Sequence, residues 1–495
     1  MHCSWSRVGF ALLGATASTG AVASDTRGSS GWSHDPANNL VIADRAGEEV
    51  QVKILPRADG GFYVSWFDNT DGGYDLRLQR LDANGVEQWA HNGIVVAARD
   101  YSSTTDYGFA VDTAGNALLS FQCCVQGADD ERIHAARIAA DGSAVWPGVG
   151  IPVSTPGEGA VVSYIAAMSD GDAVVLWMSN TGAGRAQKLD PAGAPRWGAS
   201  GVSLPGPAAG LKFIADVKPS TNGDAIVAWS NQQGSTRILR AQKLAANDGA
   251  ALWGSDGVRV SDVGNLQAGY FPKMIADGAG GVVFGYYDAS GVSWNVRVQR
   301  LDAAGTRLFG NDGVLASTDT TRGHYSPATG FDPASGDTHI VWVDGQTINQ
   351  QAYDGLYAQR IDSNGARGYG EEGSVIVPMT QSTDGTHALS QLVALPVPDG
   401  FIAGWVTGNT AVSNQRISTI RLDSSGAFAW PAPVLLKTSP TSTSRLAGAN
   451  STPGYAAFAW SDGIGNDSST FDIHAQDLPW TGVFDDSIFA DGFDD

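Results

Sequence analysis

A unit of about 55 residues recurs eight times along the chain and constrains the fold more than any other feature. Each copy has an apolar segment that ends in an aromatic residue, and these are Trp66, Phe121, Trp177, Trp229, Tyr286, Trp342, Trp405 and Trp460. A Gln-Arg-Leu-Asp-like segment follows, which is degenerate in the eighth copy. In seven copies a glycine and an aromatic come next, and six of these add a second glycine, as in Gly305, Phe309 and Gly313. Repeated units bury their apolar faces against their neighbours, so the chain is interpreted as one repeat architecture.

Each copy predicts four short strands. The first strand ends at dipeptides such as Asp59-Gly60, which supply the positive φ of tight hairpins. The second, as in 225–229, is continuously apolar, which is typical of a strand covered on both faces. The third, as in 76–81, alternates apolar and polar residues. Four-stranded units repeated radially predict an all-β fold, an eight-bladed β-propeller of four-stranded antiparallel blades.

The two ends of the repeat region predict how the ring closes. The eighth copy lacks a fourth strand after Leu478, whereas Trp32 and 40–42 resemble a fourth strand without a blade of its own. We therefore expect Asn39 to Ala43 to complete the blade made from Ser444 to Leu478. The recurring turn aromatics, such as Phe309, are expected to fill the gaps between blades.

Three segments are predicted: a signal peptide at 1–23, the propeller at 24–478 and an acidic tail at 479–495. The first has one cation, Arg7, then an apolar run and an Ala-x-Ala site before Ser24, which is typical of export. Its apolar run is too short and broken for a membrane span, and no later segment predicts one. We expect an exported chain without a transmembrane anchor.

The net negative charge of the chain opposes some classes of binding partner. The formal net charge is −21 and the pI is about 4.6, which opposes binding to nucleic acid or to anionic membranes. We expect a monomer that does not bind nucleic acid.

The repeat resembles those of secreted bacterial propellers, which read aromatic-x-Asp, then Gln-Arg-Leu-Asp-x-x-Gly, then Trp-x3-Gly. The resemblance is carried by pairs such as Trp66 with Asp68 and by Gln79 to Trp89, and it covers roughly residues 30 to 478. The tail resembles an ending found on secreted proteins of some Gram-negative bacteria, carried by Asp486, Ile488, Phe489, Asp491, Gly492, Phe493 and Asp494. The resemblances imply a periplasmic, extracellular or cell-surface location in a Gram-negative bacterium. A sorting or processing tag and a plain acidic tail both remain open.

A second resemblance concerns residues 244–253. This segment is similar to the tryptophan-docking repeat of pyrroloquinoline-quinone alcohol dehydrogenases, which are eight-bladed propellers. Some of those enzymes carry a disulfide between adjacent cysteines against the quinone. The resemblance implies pyrroloquinoline quinone and calcium as cofactors, but the chain shows no catalytic Asp or calcium-ligand motif of that family.

The adjacent cysteines Cys123 and Cys124 follow Phe121 and begin a loop between the second and third strands of a blade. In an exported chain they are expected to form a disulfide. The pair could be a platform under a ligand, a redox-sensitive switch or simply a stiffened loop.

Candidate ligand residues lie in the loops of one propeller face, where the central funnel opens. Aromatic and histidine side chains suited to sugars or peptides are Tyr101, Tyr107, Tyr164, Tyr270, Phe271, His324, Tyr325 and His387. Oxygen donors two residues after the strand aromatics, with one further acid, predict a possible calcium site at Asp68, Asp71, Asp288, Asp344 and Asp462. The alternative for these acids is the capping of loop backbones.

Two function classes remain open from the sequence. No Ser/His/Asp or paired-His constellation supports catalysis, so whether the chain is an enzyme is left open, with binding favoured. The preferred hypothesis is an exported propeller that binds a glycan, peptide or surface partner at the funnel face. The alternative is a periplasmic quinoprotein-like oxidoreductase with Cys123-Cys124 at its cofactor site.

Overall fold

The computed structural model describes residues 31–125, 131–207, 210–263, 265–289, 294–381, 388–408, 414–452, 454–464 and 467–484. They form eight four-stranded antiparallel sheets, each one blade of a β-propeller, as predicted. The predicted signal peptide, His387 and most of the acidic tail lie outside the described residues. No helix in the described part of the chain has the length and apolarity required to cross a membrane.

The strands follow chain order. Blades 1 and 2 comprise β2 (Glu49–Pro56), β3 (Phe62–Asp68), β4 (Asp75–Leu81), β5 (Ile94–Ala97), β6 (Gly108–Val111), β7 (Ala117–Cys123), β8 (Arg132–Ile138) and β9 (Ile151–Pro152). Blades 3 and 4 comprise β10 (Ser163–Ala167), β11 (Ala173–Met178), β12 (Gly184–Leu189), β13 (Val202–Ser203), β14 (Leu211–Pro219), β15 (Ala225–Gln233), β16 (Thr236–Leu244) and β17 (Val258–Arg259), with a 3-10 turn at Thr221–Gly223.

The remaining blades repeat the pattern. Blades 5 and 6 comprise β18 (Met274–Ala276), β19 (Val282–Asp288), β20 (Asn295–Leu301), β21 (Val314–Leu315), β22 (Gly323–Phe331), β23 (Thr338–Ile348), β24 (Gln351–Ile361) and β25 (Ser374–Gln381). Blade 7 comprises β26 (Leu389–Val397), β27 (Gly400–Thr407), β28 (Arg416–Asp423) and β29 (Val434–Lys437), and blade 8 comprises β30 (Ser442–Asn450), β31 (Tyr455–Ile464), β32 (Asp467–Pro479) and β1 (Leu40–Ala43).

The first strand of each blade is innermost. First strands of neighbouring blades contact each other in seven of the eight junctions, including β30 with β2 where the ring closes. Antiparallel pairing places the loops after the second and fourth strands at one end of every blade. We call this end the funnel face.

The turn aromatics join successive blades. The ring of Trp89 lies against Gly142 of the next blade, and that of Trp146 lies against Gly193. The indole of Trp146 also donates a hydrogen bond to the carbonyl of Pro191 at 3.0 Å. The same contact pairs Trp197 with Gly249, Trp253 with Gly305, Phe309 with Gly365, Tyr369 with Gly426 and Trp430 with Gly482. The predicted packing role of these aromatics is confirmed.

The other parts of the repeat hold each blade together. Strand aromatics such as Trp66 are fully buried, and the ring of Trp66 packs on Gly93, the last glycine of its own blade. The repeat glutamine braces the outer turn: the Gln242 amide donates to the carbonyl of Gly254 at 2.6 Å and accepts from the Trp253 amide at 2.8 Å. The residues that recur at fixed spacing in the repeat therefore make the contacts within and between blades.

The N-terminal segment closes the ring as predicted. β1 pairs antiparallel with β32, with Leu40 opposite Ala475 and Val41 opposite His474. Asn39 extends the attachment, since its amide donates to the carbonyl of Leu436 at 2.7 Å. Blade 8 thus combines strands from both ends of the described chain.

Candidate ligand-binding site on the funnel face

Four aromatic side chains form a continuous row on the funnel face. The ring centroids of Tyr270 and Tyr287 are 4.2 Å apart, those of Tyr287 and Trp294 are 5.8 Å apart, and those of Trp294 and Tyr325 are 5.5 Å apart. Tyr270 precedes blade 5, Tyr287 is the penultimate residue of its second strand, Trp294 precedes its third, and Tyr325 belongs to blade 6. We call Tyr270, Tyr287, Trp294 and Tyr325 the aromatic row.

The end of the aromatic row formed by Trp294 and Tyr325 borders a cavity of about 430 Å³. One wall is the hairpin of β23 and β24, whose strands have 11 residues each and turn at Asn349 and Gln350. The cavity is lined by Trp294, Tyr325, Gly345, Gln346, Thr347, Ala352, Tyr353 and Asp354. Trp294 is 38% exposed, so part of its indole can be reached from solvent. Apolar faces and a few polar groups therefore meet in one open cavity, which is typical of ligand sites.

The polar side of this cavity is ordered by hydrogen bonding. The hydroxyl of Tyr325 donates to Asp354 Oδ1 at 3.0 Å. Burial raises the pKa of Tyr325, and the adjacent Asp354 carboxylate raises it further. The phenol therefore stays protonated and serves as a donor that holds the carboxylate in place.

A charged cluster lies near the propeller axis. Lys53 Nζ is 2.6 Å from one oxygen of Asp106, and Lys273 Nζ is 3.4 Å from the other, although 167 positions separate Asp106 and Lys273 in the chain. Lys273 Nζ also stands 3.5 Å from the ring centroid of Tyr164. On the other side, Asp216 accepts from the Met274 amide at 3.0 Å. We call Lys53, Asp106, Tyr164, Asp216 and Lys273 the channel cluster.

Burial and charge set the protonation of this cluster. Burial lowers the pKa of Lys273 to about 8, against the opposing effect of Asp106 and Asp216. Water nevertheless reaches about half of this side chain, because its exposed fraction is 51%. Burial works to raise the pKa of Asp106, but Lys53 and Lys273 outweigh it and hold that pKa well below its ordinary value. The cluster thus presents a fixed carboxylate beside an amine whose pKa is lower than that of an ordinary lysine.

The structure places some of the aromatic and histidine candidates at the site and others inside the fold. Tyr270 and Tyr325 join the aromatic row, Phe271 packs near Phe213 with ring centroids 6.2 Å apart, and Tyr164 joins the channel cluster. Tyr101 is buried, and its hydroxyl donates to Glu131 at 3.0 Å.

Two other candidates are held inside the fold. Tyr107 is buried and donates to the carbonyls of Gln51 and Ser65. His324 is buried between the Asp344 carboxylate, at 2.5 Å, and the carbonyl of Asp319, at 2.8 Å. Burial lowers the pKa of His324, but the hydrogen bond and charge of Asp344 outweigh it and raise that pKa. These contacts hold both side chains inside the fold, away from the surface of the funnel face.

The five acids considered as calcium ligands face cationic side chains. The carboxylate of Asp68 lies 2.8 Å from Arg45 and 2.7 Å from Arg77, and Arg45 also reaches Asp71 at 3.0 Å. The other three pairs are Asp288 with Arg297 at 2.6 Å, Asp344 with Arg322 at 3.1 Å, and Asp462 with Lys437 at 3.1 Å. Ion pairing accounts for these carboxylates, and calcium binding there remains a prediction.

Cys123 and Cys124 form a disulfide at the end of β7, on the funnel face. Cys123 is fully buried in the apolar core between blades 1 and 2, whereas Cys124 is half-buried. The preceding segment fixes their backbone, since the Asp100 amide donates to the carbonyl of Cys124 at 2.8 Å. Only one half of the pair therefore reaches the surface.

Sequence reasoning missed three aromatic members of the site and two lysines. Tyr287, Trp294 and Tyr353 lie in or beside loops between second and third strands, whereas the candidates were taken from connections between blades. A signal was present, because aromatic residues flank the polar loop of the fifth copy on both sides. Lys53 and Lys273 carried no signal, since single lysines in different copies reveal no spatial relationship.

Comparisons with known proteins return solved structures. No family model matches the chain, and no curated protein matches it. A protein of unknown function from Dyadobacter fermentans is 9% identical, covers 89% of this chain and 98% of its own, and superposes with a TM-score of 0.37.

Two carbohydrate-active enzymes are similarly distant. The polysaccharide lyase Uly1 is 9% identical over 90% of this chain and 92% of its own, with a TM-score of 0.42. The α-L-arabinofuranosidase Arb93A from Fusarium graminearum, in complex with an iminosugar inhibitor, is 11% identical over 67% of this chain and 96% of its own, with a TM-score of 0.36. No activity is transferred to this chain from proteins at this distance.

Proposed function

We propose that this propeller binds a carbohydrate chain on its funnel face, with the aromatic row as the contact surface. The observation that carries the proposal is the row itself, which ends at the exposed indole of Trp294 beside a cavity of about 430 Å³. Sugar rings have apolar faces edged by hydroxyl groups. Aromatic rings can cover the faces, while nearby polar groups such as Asp354 and Gln346 can bond the edges.

The channel cluster favours acidic sugars over neutral ones. Lys273 lies three residues after Tyr270, so the chain links the Tyr270 end of the aromatic row directly to the cluster. Lys218 lies beside the cluster, with its Nζ 2.9 Å from Asp216, so Lys53, Lys218 and Lys273 outnumber the carboxylates Asp106 and Asp216. In a chain of net charge −21, a local excess of cations would attract a uronate carboxylate, and salt would weaken that attraction.

Binding is tested by isothermal titration calorimetry against a panel of neutral and uronate-containing oligosaccharides. Trp294→Ala is expected to weaken binding roughly fivefold or more, because stacking on an aromatic ring contributes about 1 kcal/mol or more. The matched control is Phe428→Ala, since Phe428 is 45% exposed and lies in an outer turn on the opposite face. Equal losses in both variants would remove the aromatic row from the proposal, and no binding across the panel would overturn the function.

The acidic preference has its own test. Lys273→Met is expected to reduce affinity for uronate oligosaccharides and to flatten its dependence on salt, while affinity for neutral ones is unchanged. An identical loss for neutral and acidic ligands would contradict the role of the channel cluster and leave the aromatic row standing.

A further inference from the structure

We propose that reduction of the Cys123–Cys124 disulfide creates a binding site for a thiophilic d¹⁰ cation, such as Zn²⁺ or Cu⁺, completed by His134. This proposal does not rest on carbohydrate binding. Among the residues that the structure describes, Cys123, Cys124 and His134 are the one set of three metal-ligating side chains whose ligand atoms all lie within 4.8 Å of one another.

Strand pairing determines why the histidine meets the cysteines. In blade 2, Phe121 lies opposite His134 and Cys123 lies opposite Arg132, so the side chains of Cys123 and His134 are diagonal neighbours on one face of the sheet. Antiparallel pairing fixes this register along β7 and β8. The histidine therefore stays beside the cysteines whether or not the disulfide is formed.

The backbone around the pair is held from a neighbouring segment. The Asp100 amide donates to the carbonyl of Cys124 at 2.8 Å, and Arg99 Nε donates to the carbonyl of Gln122 at 2.7 Å. Arg99 is itself buried and stacks over the ring of Phe67, with the guanidinium 4.6 Å from the ring centroid. Opening the disulfide would therefore leave the two thiols on an ordered backbone.

The distances suit a metal after a small side-chain rearrangement. Zinc binds sulfur at about 2.3 Å and imidazole nitrogen at about 2.0–2.1 Å, so ligand atoms in a tetrahedral site stand roughly 3.3–3.8 Å apart. The reduced sulfurs need only separate to that range, and Cys124, which is half-buried, can rotate outwards. Water would take the fourth position, because Cys124 and His134 are both partly exposed.

Reduction of the disulfide and binding of the metal are two separate steps. A dithiol reductant breaks the sulfur–sulfur bond, gives one hydrogen to each cysteine sulfur and becomes a disulfide itself. Zn²⁺ then displaces both thiol protons and is bound by two thiolates and one neutral imidazole, which leaves the centre uncharged. Oxidation would expel the metal, because sulfurs joined to each other are poor ligands.

The test uses the full chain and a phosphine reductant, since dithiols bind metals themselves; the phosphine takes oxygen from water as the disulfide opens. After the reductant is removed without oxygen, Zn²⁺ binding is measured by competition with a chromophoric chelator. The reduced chain is expected to bind one Zn²⁺, and the oxidised chain none at the same concentration. Co²⁺ in place of Zn²⁺ should produce thiolate-to-metal charge-transfer bands.

Variants assign the ligands. Cys123→Ser and Cys124→Ser should lose the charge-transfer bands, and His134→Gln should keep them but weaken metal binding roughly tenfold or more. His34→Gln, at a histidine paired with Asp477 in another blade, is the matched control and should bind as the unaltered chain does. Near-ultraviolet circular dichroism of each variant establishes that it is folded.

Three results would overturn the proposal. The first is equal metal binding by the oxidised and reduced chains. The second is undiminished binding by folded Cys123→Ser. The third is a disulfide that the phosphine does not reduce in the folded chain, because the two thiols would then never be available to a metal.

Discussion

The indole of Trp32 packs against Gly85 in blade 1. In each of the other blades, the equivalent glycine contacts the turn aromatic of the preceding blade. Trp32 Nε1 donates to the carbonyl of Ala83 at 3.1 Å, and the Trp32 amide donates to the carbonyl of Asn84 at 2.9 Å. Tyr455 of blade 8 reaches the same carbonyl of Ala83 at 2.8 Å. The ring is therefore closed at its outer turns as well as through β1.

This contact predicts a large destabilisation in Gly85→Ala. Gly85 has a φ of +79°, and an added Cβ would lie 2.6 Å from Trp32 Cδ2. Backbone strain and overpacking together should cost about 2–4 kcal/mol, measured by chemical denaturation. Gly148→Ala is the control, because Gly148 has a φ of +65° but no heavy atom within 4 Å of an added Cβ. Equal losses in the two variants would show that Trp32 contributes nothing at this joint.

Glu49→Gln is expected to stabilise the chain above neutral pH. Glu49 is fully buried, and burial, followed by the charges of Asp68 and Asp472, raises its pKa to about 9. Because this pKa lies above the ordinary value of about 4.5, Glu49 lowers stability progressively as pH rises from about 4.5 to 9.

Melting temperatures between pH 5 and pH 9 check this expectation. The advantage of Glu49→Gln should grow with pH and reach about 2 kcal/mol, since one pKa unit corresponds to about 1.4 kcal/mol and a buried site relaxes on ionisation. Glu48→Gln, one position earlier, controls for the loss of one negative charge. A constant difference across this range would contradict the burial of an uncharged Glu49.

His91 is expected to add stability that disappears at high pH. Its ring nitrogens lie 3.1 Å from Glu87 and 3.0 Å from Asp44, and the hydrogen bond to Glu87 with the charge of both acids raises its pKa to about 9. A raised histidine pKa contributes fully below about pH 6.5, and the contribution is lost as pH rises towards 9. His91→Gln should therefore cost about 1 kcal/mol at pH 6, after allowance for solvent screening, and almost nothing above pH 9. An unchanged cost from pH 6 to pH 10 would exclude this ionic contribution.

Lys273 is expected to react fastest among the lysines with amine reagents. Its pKa of about 8 gives a substantial uncharged fraction at pH 7.5, and its side chain is 51% exposed. Limited reductive methylation followed by peptide mass spectrometry measures the rate at each lysine. A rate at Lys273 no greater than at Lys212, on an adjacent blade, would contradict the lowered pKa.

More of the fold than of the candidate site could be predicted from the sequence. The turn aromatic, such as Phe309, recurs in seven copies and the third-strand glutamine in six, so their packing could be inferred from one copy and extended to the others. The closing strand near Leu40 could also be inferred, because the eighth copy lacked the element that the N-terminal segment supplied. These contacts repeat, and repetition makes them visible in a linear pattern.

The site does not repeat. Tyr101, Tyr107 and Tyr325 lie in or just after connections between blades, yet the first two are buried and the third borders the cavity. Which of them faces solvent depends on loop length and on the hairpin of β23 and β24, neither of which the repeat specifies.

The sequence by itself determined the number of blades, the strands in each and the segment that closes the ring, because those depend on local periodicity and on contacts between successive copies. Only the tertiary structure decided that Lys273 would reach Asp106 across 167 positions, that Trp294 would stand between Tyr287 and Tyr325, and that His134 would lie beside Cys123 and Cys124. The physical reason is that closing a ring brings unrelated loops together at its axis and along its face, where proximity depends on curvature and register and leaves no trace in residue spacing.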